Sequence, residues 1–258
     1  MNSSPEAKPS LSVSRGDVFA LGDHRLACGD ARDTALIARL LGHTPVDLIL
    51  ADPPYAVGYV ESKAEISGVA QPKDILGDHL QSDAEYRAFT RDWLLAARPL
   101  LAAKNSAYVF NSDRMIFPLR EGMLEAGFRF SQLLVWIKDR CVIGRLDYLP
   151  QHELVAFGWH GAHAFRRAKD KSVLFHPKPA ASKLHPTMKP IGLLRQLILN
   201  SSKIGSAVYD PFGGSGSTLI AAEQTKRRCF MIEADPAYCL TVMDRFQKLT
   251  GVGPAKIA

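Results

Sequence analysis

The chain has 258 residues, 47% of them hydrophobic and 22% charged, which suits one medium domain with a substantial core and excludes a disordered chain. Lysine and arginine number 32 against 26 aspartates and glutamates, a formal +6 that says little unless it is clustered. The longest apolar runs, Val46–Ala51 and Leu133–Ile137, fall far short of the roughly 18 residues a membrane-spanning helix needs. Met1–Ser14 is rich in Ser and Pro and lacks the apolar stretch of a secretory signal, so a cytoplasmic protein without a membrane partner is expected.

Residues 1–15 read as a disordered tail ahead of a single domain over 16–258. From there, without internal repeats, short apolar strands alternate with amphipathic helices, the pattern of an α/β fold. Arg25–Cys28 is a predicted strand ending at Gly29-Asp30, and Thr34–Leu41 has helical periodicity. Val46–Ala51 (VDLILA) is a continuous apolar run of the kind a central strand covered on both faces shows. It stops at Asp52-Pro53-Pro54-Tyr55, where two prolines forbid further strand pairing. Ala56–Leu80 has no clear period and reads as a mobile or functional loop. A helix is predicted over Asp83–Leu101, then strands over Ala107–Phe110, Phe130–Ile137 and His152–Phe157, and a helix over Ile191–Leu199. Ala207–Tyr209 is a short strand leading into DPFGGSGST, residues 210–218, with a helix over Thr218–Gln224. A strand over Cys229–Ile232 ends at Glu233, and a helix over Pro236–Leu249 closes the pattern.

The charge is clustered. Between His160 and Pro190 stand Arg166, Arg167, Lys169, Lys171, Lys178, Lys183 and Lys189 against the single acid Asp170, an excess equal to that of the whole chain. The four cysteines, Cys28, Cys141, Cys229 and Cys239, show no C-x-x-C and no Cys/His pairing, so neither a metal site nor a disulfide framework is expected.

Three predicted strand ends carry polar residues: Asp30, Asp52–Tyr55 and Asp210–Thr218. Ligands of open α/β sheets sit outside the carboxyl ends of strands, so these three should line one crevice. In DPFGGSGST the glycines permit a tight turn, and free N–H groups at the helix start favour an anionic group. The segment lacks the lysine of a phosphate loop and misses the G-x-G-x-x-G spacing. Glu233, about 20 residues on at the next strand end, suits an acid that accepts from ribose hydroxyls, which together with the loop points to an adenosine-containing cofactor. In DPPY the stiff prolines let the Asp52 carboxylate and the Pro53 carbonyl converge, and two acceptors at one point suit an NH₂ group. Tyr55 supplies a flat ring for a planar base. An aromatic amine is a weak nucleophile because its lone pair is delocalised; two acceptors on its hydrogens restore that nucleophilicity toward a methyl sulfonium.

At this point the chain resembles the amino-group DNA methyltransferases that use S-adenosylmethionine, in their β-type motif order. DPPY at 52–55 is similar to that family's catalytic motif, DPFGGSGST at 210–218 to its cofactor loop, and HPTMKP at 185–190 to the segment leading into the loop. The resemblance spans about 16–249. It implies a doubly wound, mostly parallel seven-stranded Rossmann-like methyltransferase sheet, circularly permuted so that the first predicted strand lies beside the Glu233 strand. Asp52, Pro53, Pro54 and Tyr55 would be catalytic. Asp210, Phe212, Gly213, Gly214, Gly216 and Ser217 would shape the cofactor loop, Glu233 would hold the ribose, and Asp30 with Ala31 would flank the adenine. His185, Thr187 and Lys189 would hold the methionine carboxylate.

The resemblance further implies DNA as partner and base flipping, because a stacked base cannot enter such a pocket. Arg166, Arg167, Lys169, Lys171, Lys178 and Lys183 would contact phosphates from a target-recognition insert over 159–184. That insert is short for the family, and a short or relaxed recognition site is expected. The head Asp favours adenine N6 over cytosine N4, although that rule has exceptions. Methylation at cytosine C5 needs a thiolate nucleophile, and no cysteine here follows a proline in a strand-end loop. An RNA or protein amine as substrate, or a catalytically silent nucleic-acid-binding relative, remain as alternatives. Members of the family belong to restriction–modification systems and are often dimeric; no stripe in this sequence marks an interface, so a homodimer rests on the resemblance alone.

Overall fold

The computed structural model describes residues 12–55, 81–141, 147–163, 165–166, 170–178 and 188–258. Eleven strands are present among them: β1 Val18–Leu21, β2 His24–Cys28, β3 Val46–Ala51, β4 Leu101–Asn111, β5 Phe128–Ile137, β6 His152–His160, β7 Ala162–His163, β8 Val173–Phe175, β9 Ala207–Asp210, β10 Arg228–Glu233 and β11 Ala255–Lys256. The helices are α1 Thr34–Leu41, α2 Asp83–Ala97, α3 Ile116–Glu125, α4 Ile191–Ser201, α5 Ser217–Gln224 and α6 Pro236–Thr250.

The sheet order is β11-β1-β2-β10-β9-β3-β4-β6-β5-β8, with β7 beside the early part of β4. From β2 to β4 the neighbours are parallel; β6 runs antiparallel between β4 and β5. The seven strands expected are the run β2-β10-β9-β3-β4-β6-β5, and the count of seven is corrected by edge strands at both ends. Those edge strands are two to four residues long, too short for a readable alternation. The permuted closure is observed directly: Glu233 of β10 pairs with Cys28 of β2.

The run VDLILA sits at the centre, where Ile49 and Ala51 enter one core and Leu48 and Leu50 the other. Helices α1 to α3 cover the first face, with Leu36, Trp93 and Leu119 buried; α4 to α6 cover the second, with Leu197, Leu219 and Phe246. Asp47, the one polar residue of the run, accepts from the Ala207 N–H at 2.8 Å and ties the starts of β3 and β9 together.

Two expectations move. The helix predicted to reach Leu101 ends at Ala97, and a 3₁₀ turn over Arg98–Leu100 hands over to β4, because Pro99 cannot supply the helical N–H. Helix α3 was not anticipated: Pro118 and Gly122 interrupt its period. Gly122 is there for close approach, since a Cβ would stand 2.6 Å from the Arg87 carbonyl oxygen of α2. Of the tail 1–15, residues 1–11 lie outside the described residues, while Val13 packs on the second core. The loop 56–80 also lies outside them. Cys28, Cys229 and Cys239 are buried free thiols, and Cys141 is partly exposed. No helix among the described residues is long and apolar enough to cross a membrane.

Candidate active site

Register alone brings the motifs level. Met231 pairs with Asp210, Glu233 with Cys28, and Leu48 with Val208, so counting two residues on from the first pair and four from the last aligns Cys28, Glu233, Phe212 and Asp52 along one carboxyl edge. Asp30, Asp52, Asp210 and Glu233 therefore stand along one carboxyl edge of the sheet, the edge where ligands of open α/β sheets sit.

On the left of that edge, the glycine loop is held by its own backbone. The Gly213 N–H donates to the Ile232 carbonyl at 2.8 Å and the Gly216 N–H to the Gly213 carbonyl at 2.8 Å. Gly216 has φ +82°, and Gly213 has no room for a side chain: a Cβ would lie 2.5 Å from Met231 Cγ. The Gly214 N–H donates to Glu233 Oε2 at 2.6 Å, and the Asp235 N–H to Glu233 Oε1 at 2.8 Å, so one carboxylate joins the loop to the β10–α6 turn. Burial pushes Glu233 up to about 7, against the pull of those N–H groups. Asp210 is likewise pushed to about 7 by burial, partly countered by Thr218 and by the Phe212 N–H at 3.0 Å. Phe212 is pinned by Trp93, edge-on at 5.4 Å between ring centroids, and by Phe89 at 5.8 Å. Ser217 begins α5 with its Oγ buried and without a hydrogen-bond partner. Ala31 is buried, and Asp30 is forked by Arg32, which holds its carboxyl below the usual range.

On the right, Asp52 follows β3 and is embedded in a charge network. Tyr55 Oη lies 3.0 Å from Asp52 Oδ1 and 2.9 Å from Glu153 Oε2. Lys189 Nζ donates to Asp52 Oδ2 at 2.7 Å and reaches Glu153 Oε2 at 3.2 Å. Lys138 Nζ holds the other Glu153 oxygen at 2.9 Å. Both lysine side chains are nearly buried, at 5% and 6% exposure. Desolvation raises Asp52 above the usual carboxylate range, while the two lysines overcome desolvation at Glu153 and hold it at about 2. Desolvation raises Tyr55 too, so its phenol stays protonated.

Lys189 departs from its expected place: its ammonium is engaged by Asp52 and Glu153, and it stands 5.3 Å from the centroid of the Tyr55 ring. Lys138 and Glu153 were not anticipated. Glu153 precedes the apolar part of β6 rather than following a strand, and only the antiparallel run of β6 carries it to the carboxyl edge. A charged residue entering an apolar strand, and a lysine directly after Ile137, were the available signals.

His185, Thr187, Arg167, Lys169 and Lys183 lie outside the described residues. Arg166 and Lys171 are exposed, and Lys178 is partly so. The stretch 159–184 was expected to be an insert. Its described parts instead belong partly to the sheet: Val173–Phe175 pairs with β5, and Leu174 is buried. Asp170 ties this stretch to α4 by accepting from Gln196 Nε2 at 2.8 Å and Asn200 Nδ2 at 2.6 Å.

A family model described as DNA methylase matches residues 46–244, which is most of the chain. The chain belongs to the DNA methylase family. This methylase is 26% identical over 225 residues to the Type II methyltransferase M2.DpnII of Streptococcus pneumoniae, covering 78% of this chain and 82% of that one. To M2.MboI of Moraxella bovis it is 24% identical over 228 residues, covering 80% and 82%. Its fold is similar to that of M1.HpyAVI solved with S-adenosylmethionine, at TM-score 0.62 and 21% identity over 85% of this chain and 98% of that one. It is also similar to the cytosine-N4-specific PvuII DNA methyltransferase, at TM-score 0.65 and 16% identity over 86% and 85%. The methylase thus joins a DNA methylase family match to a mostly parallel α/β sheet.

Proposed function

We propose that the methylase acts on the N6 amine of an adenine flipped out of DNA, with Asp52, Pro53, Pro54 and Tyr55 forming the catalytic pocket. The observation that carries this reading is the level alignment of Asp52 with the glycine loop and Glu233 along one carboxyl edge. Supporting a cofactor in the left half, Gly213 lets the loop pack against Met231 where a Cβ would clash, Ser217 offers an unpartnered hydroxyl, and Glu233 stands at the end of β10 beside the loop, as a ribose acceptor would. S-adenosylmethionine supplies an electrophilic methyl group on a sulfonium. Asp210, Phe212, Gly213, Gly214, Gly216, Ser217 and Glu233 would hold it, with Asp30 and Ala31 beside the adenine. Asp52 and the Pro53 carbonyl accept the two amine hydrogens, which returns lone-pair density to the nitrogen. The surplus proton left on nitrogen after transfer leaves by way of Asp52. Tyr55 stacks on the base.

Arg166, Lys171 and Lys178, with the outlying Arg167, Lys169 and Lys183, are read as phosphate contacts. We read the methylase as a cytoplasmic enzyme, bacterial or phage-encoded, of a restriction–modification system, a reading supported by its bacterial Type II relatives, and the family resemblance favours a homodimer. Product identification tests the reading. The methylase is incubated with S-adenosylmethionine and unmethylated bacterial DNA, and the nucleosides are analysed by mass spectrometry. N6-methyladenine, missing from an Asp52→Ala control, is expected. N4-methylcytosine would replace the base while keeping the mechanism, and no methylated base despite cofactor binding would overturn DNA as substrate.

A further inference from the structure

The network around Asp52 holds two carboxylates and two ammonium groups, and its geometry is not symmetric. Asp52 has both oxygens engaged inside the protein, Oδ1 by the Tyr55 hydroxyl and Oδ2 by Lys189. Glu153 faces those same two donors with one oxygen, Oε2, while Oε1 is fixed by Lys138. Tyr55 has a single hydroxyl hydrogen, so it donates to Asp52 or to Glu153, never fully to both. Lys138 is in turn anchored: its N–H donates to the Gln151 carbonyl at 2.9 Å, and Gln151 Nε2 donates to the Lys138 carbonyl at 3.0 Å.

Resting on the reading of Asp52 as the acceptor of the target amine, we propose that Glu153 is a positioning residue. It draws the Lys189 ammonium and the Tyr55 proton off Asp52 when the amine arrives, and Lys138 sets how strongly it does so. Without an alternative anion, Lys189 would compete with the amine for Asp52. With Glu153 beside it, Lys189 crosses from Oδ2 of Asp52 to Oε2 of Glu153 while remaining a buried, paired cation. The groups facing Asp52 are Tyr55 after β3, Asp210 of β9, Lys189 ahead of α4 and Glu153 of β6, with Lys138 after β5 acting through Glu153. Its neighbour on β4, Phe110, is apolar and lies under Lys189, 5.2 Å from the ammonium.

Opposite shifts test this. Glu153→Gln leaves Lys189 wholly to Asp52, so Asp52 should titrate about one pH unit lower. Lys138→Met leaves Glu153 more negative toward Lys189, so Asp52 should titrate higher. Both are read by carboxyl-carbon NMR of protein labelled at Asp and Glu, with Asp52 assigned from Asp52→Asn. With DNA and S-adenosylmethionine saturating, the acid limb of kcat should move in the same two directions. In Glu153→Gln, kcat at neutral pH should fall by roughly tenfold or more, and the Kd for S-adenosylmethionine should hold within about twofold. The double variant Glu153→Gln/Lys138→Met keeps the charge balance and should titrate like Glu153→Gln, which preserves the test where that single variant does not fold. Titrations of Asp52 that stay put, or that move the same way in both single variants, would overturn the proposal. Absence of any methylated base would defeat the functional reading alone, because the titrations need no turnover.

Discussion

The two halves of the carboxyl edge treat buried carboxylates in opposite ways. At β9 and β10, Asp210 and Glu233 are bonded by backbone N–H groups, with no lysine or arginine bonded to either among the described residues, and burial lifts both to about 7. At β3 and β6, two buried lysines interleave with Asp52 and Glu153, and Glu153 sits at about 2. The first arrangement leaves anionic capacity uncompensated, which favours a ligand bearing a sulfonium and donating hydroxyls. The second is internally neutral and suits an uncharged amine that must find an acceptor. On the proposed reading, the placement of the lysines would sort a cationic donor to one half of the edge and a neutral acceptor to the other.

Asp52→Ala should break the right half while sparing the left. Turnover should fall by about 10³-fold, the range for loss of a group acting directly on the reacting centre. Calorimetry should find S-adenosylmethionine still bound. The reverse dissection is Gly213→Ala. Its Cβ would press on the fully buried Met231, at a cost of about 1–3 kcal/mol for overpacking, and should weaken cofactor affinity by more than tenfold. The titration of Asp52 should be unchanged, because the strain is confined to the glycine loop and β10.

Acidity should separate the halves next. Asp210 and Glu233 are neutral below about 7, and donors and cations favour their charged forms. Cofactor affinity should therefore rise with pH up to about 7, by up to roughly tenfold per pH unit for each group involved. The sign for folding is opposite: both carboxyls sit above their usual 3.8 and 4.5, so the stability they contribute is present at low pH and lost as pH rises toward 7. Melting of the free protein and cofactor Kd measured over pH 5–8 should run against each other, and a parallel course would remove the contrast between the halves. The smallest effect should come from Ser82→Ala. Ser82 caps α2 in a reciprocal box with Glu85 at the exposed start of that helix. Its loss should cost about 1 kcal/mol and lower Tm by roughly 2–4 °C without changing kcat.

Much of the left half was legible because parallel strands deliver their site residues just after themselves. Asp30, Asp210 and Glu233, like Asp52 at the head of the right half, each follow or end an apolar run in sequence and meet at one edge in space. Helix α1 and strand β3 were readable to the residue, since Asp33 caps the one and the Pro-Pro pair ends the other. The right half was less legible. Glu153 enters the site only because β6 reverses direction, and a reversal between strands carries no local mark. The same holds for the short edge strands, whose pairing comes from neighbours rather than from their own alternation.

By itself the sequence determined the α/β class, the permuted motif order and the placing of DPPY and the glycine loop directly after neighbouring strands. Those follow from local rules: proline stops a strand, glycine permits a tight loop, and apolar period sets each element. Only the tertiary structure decided which ions surround Asp52, that Lys189 turns toward it, and that Lys138 and Glu153 belong to the site. Those residues are brought together by pairing between distant strands, and the balance of charge in a buried site depends on distance in space, to which spacing along the chain is no guide.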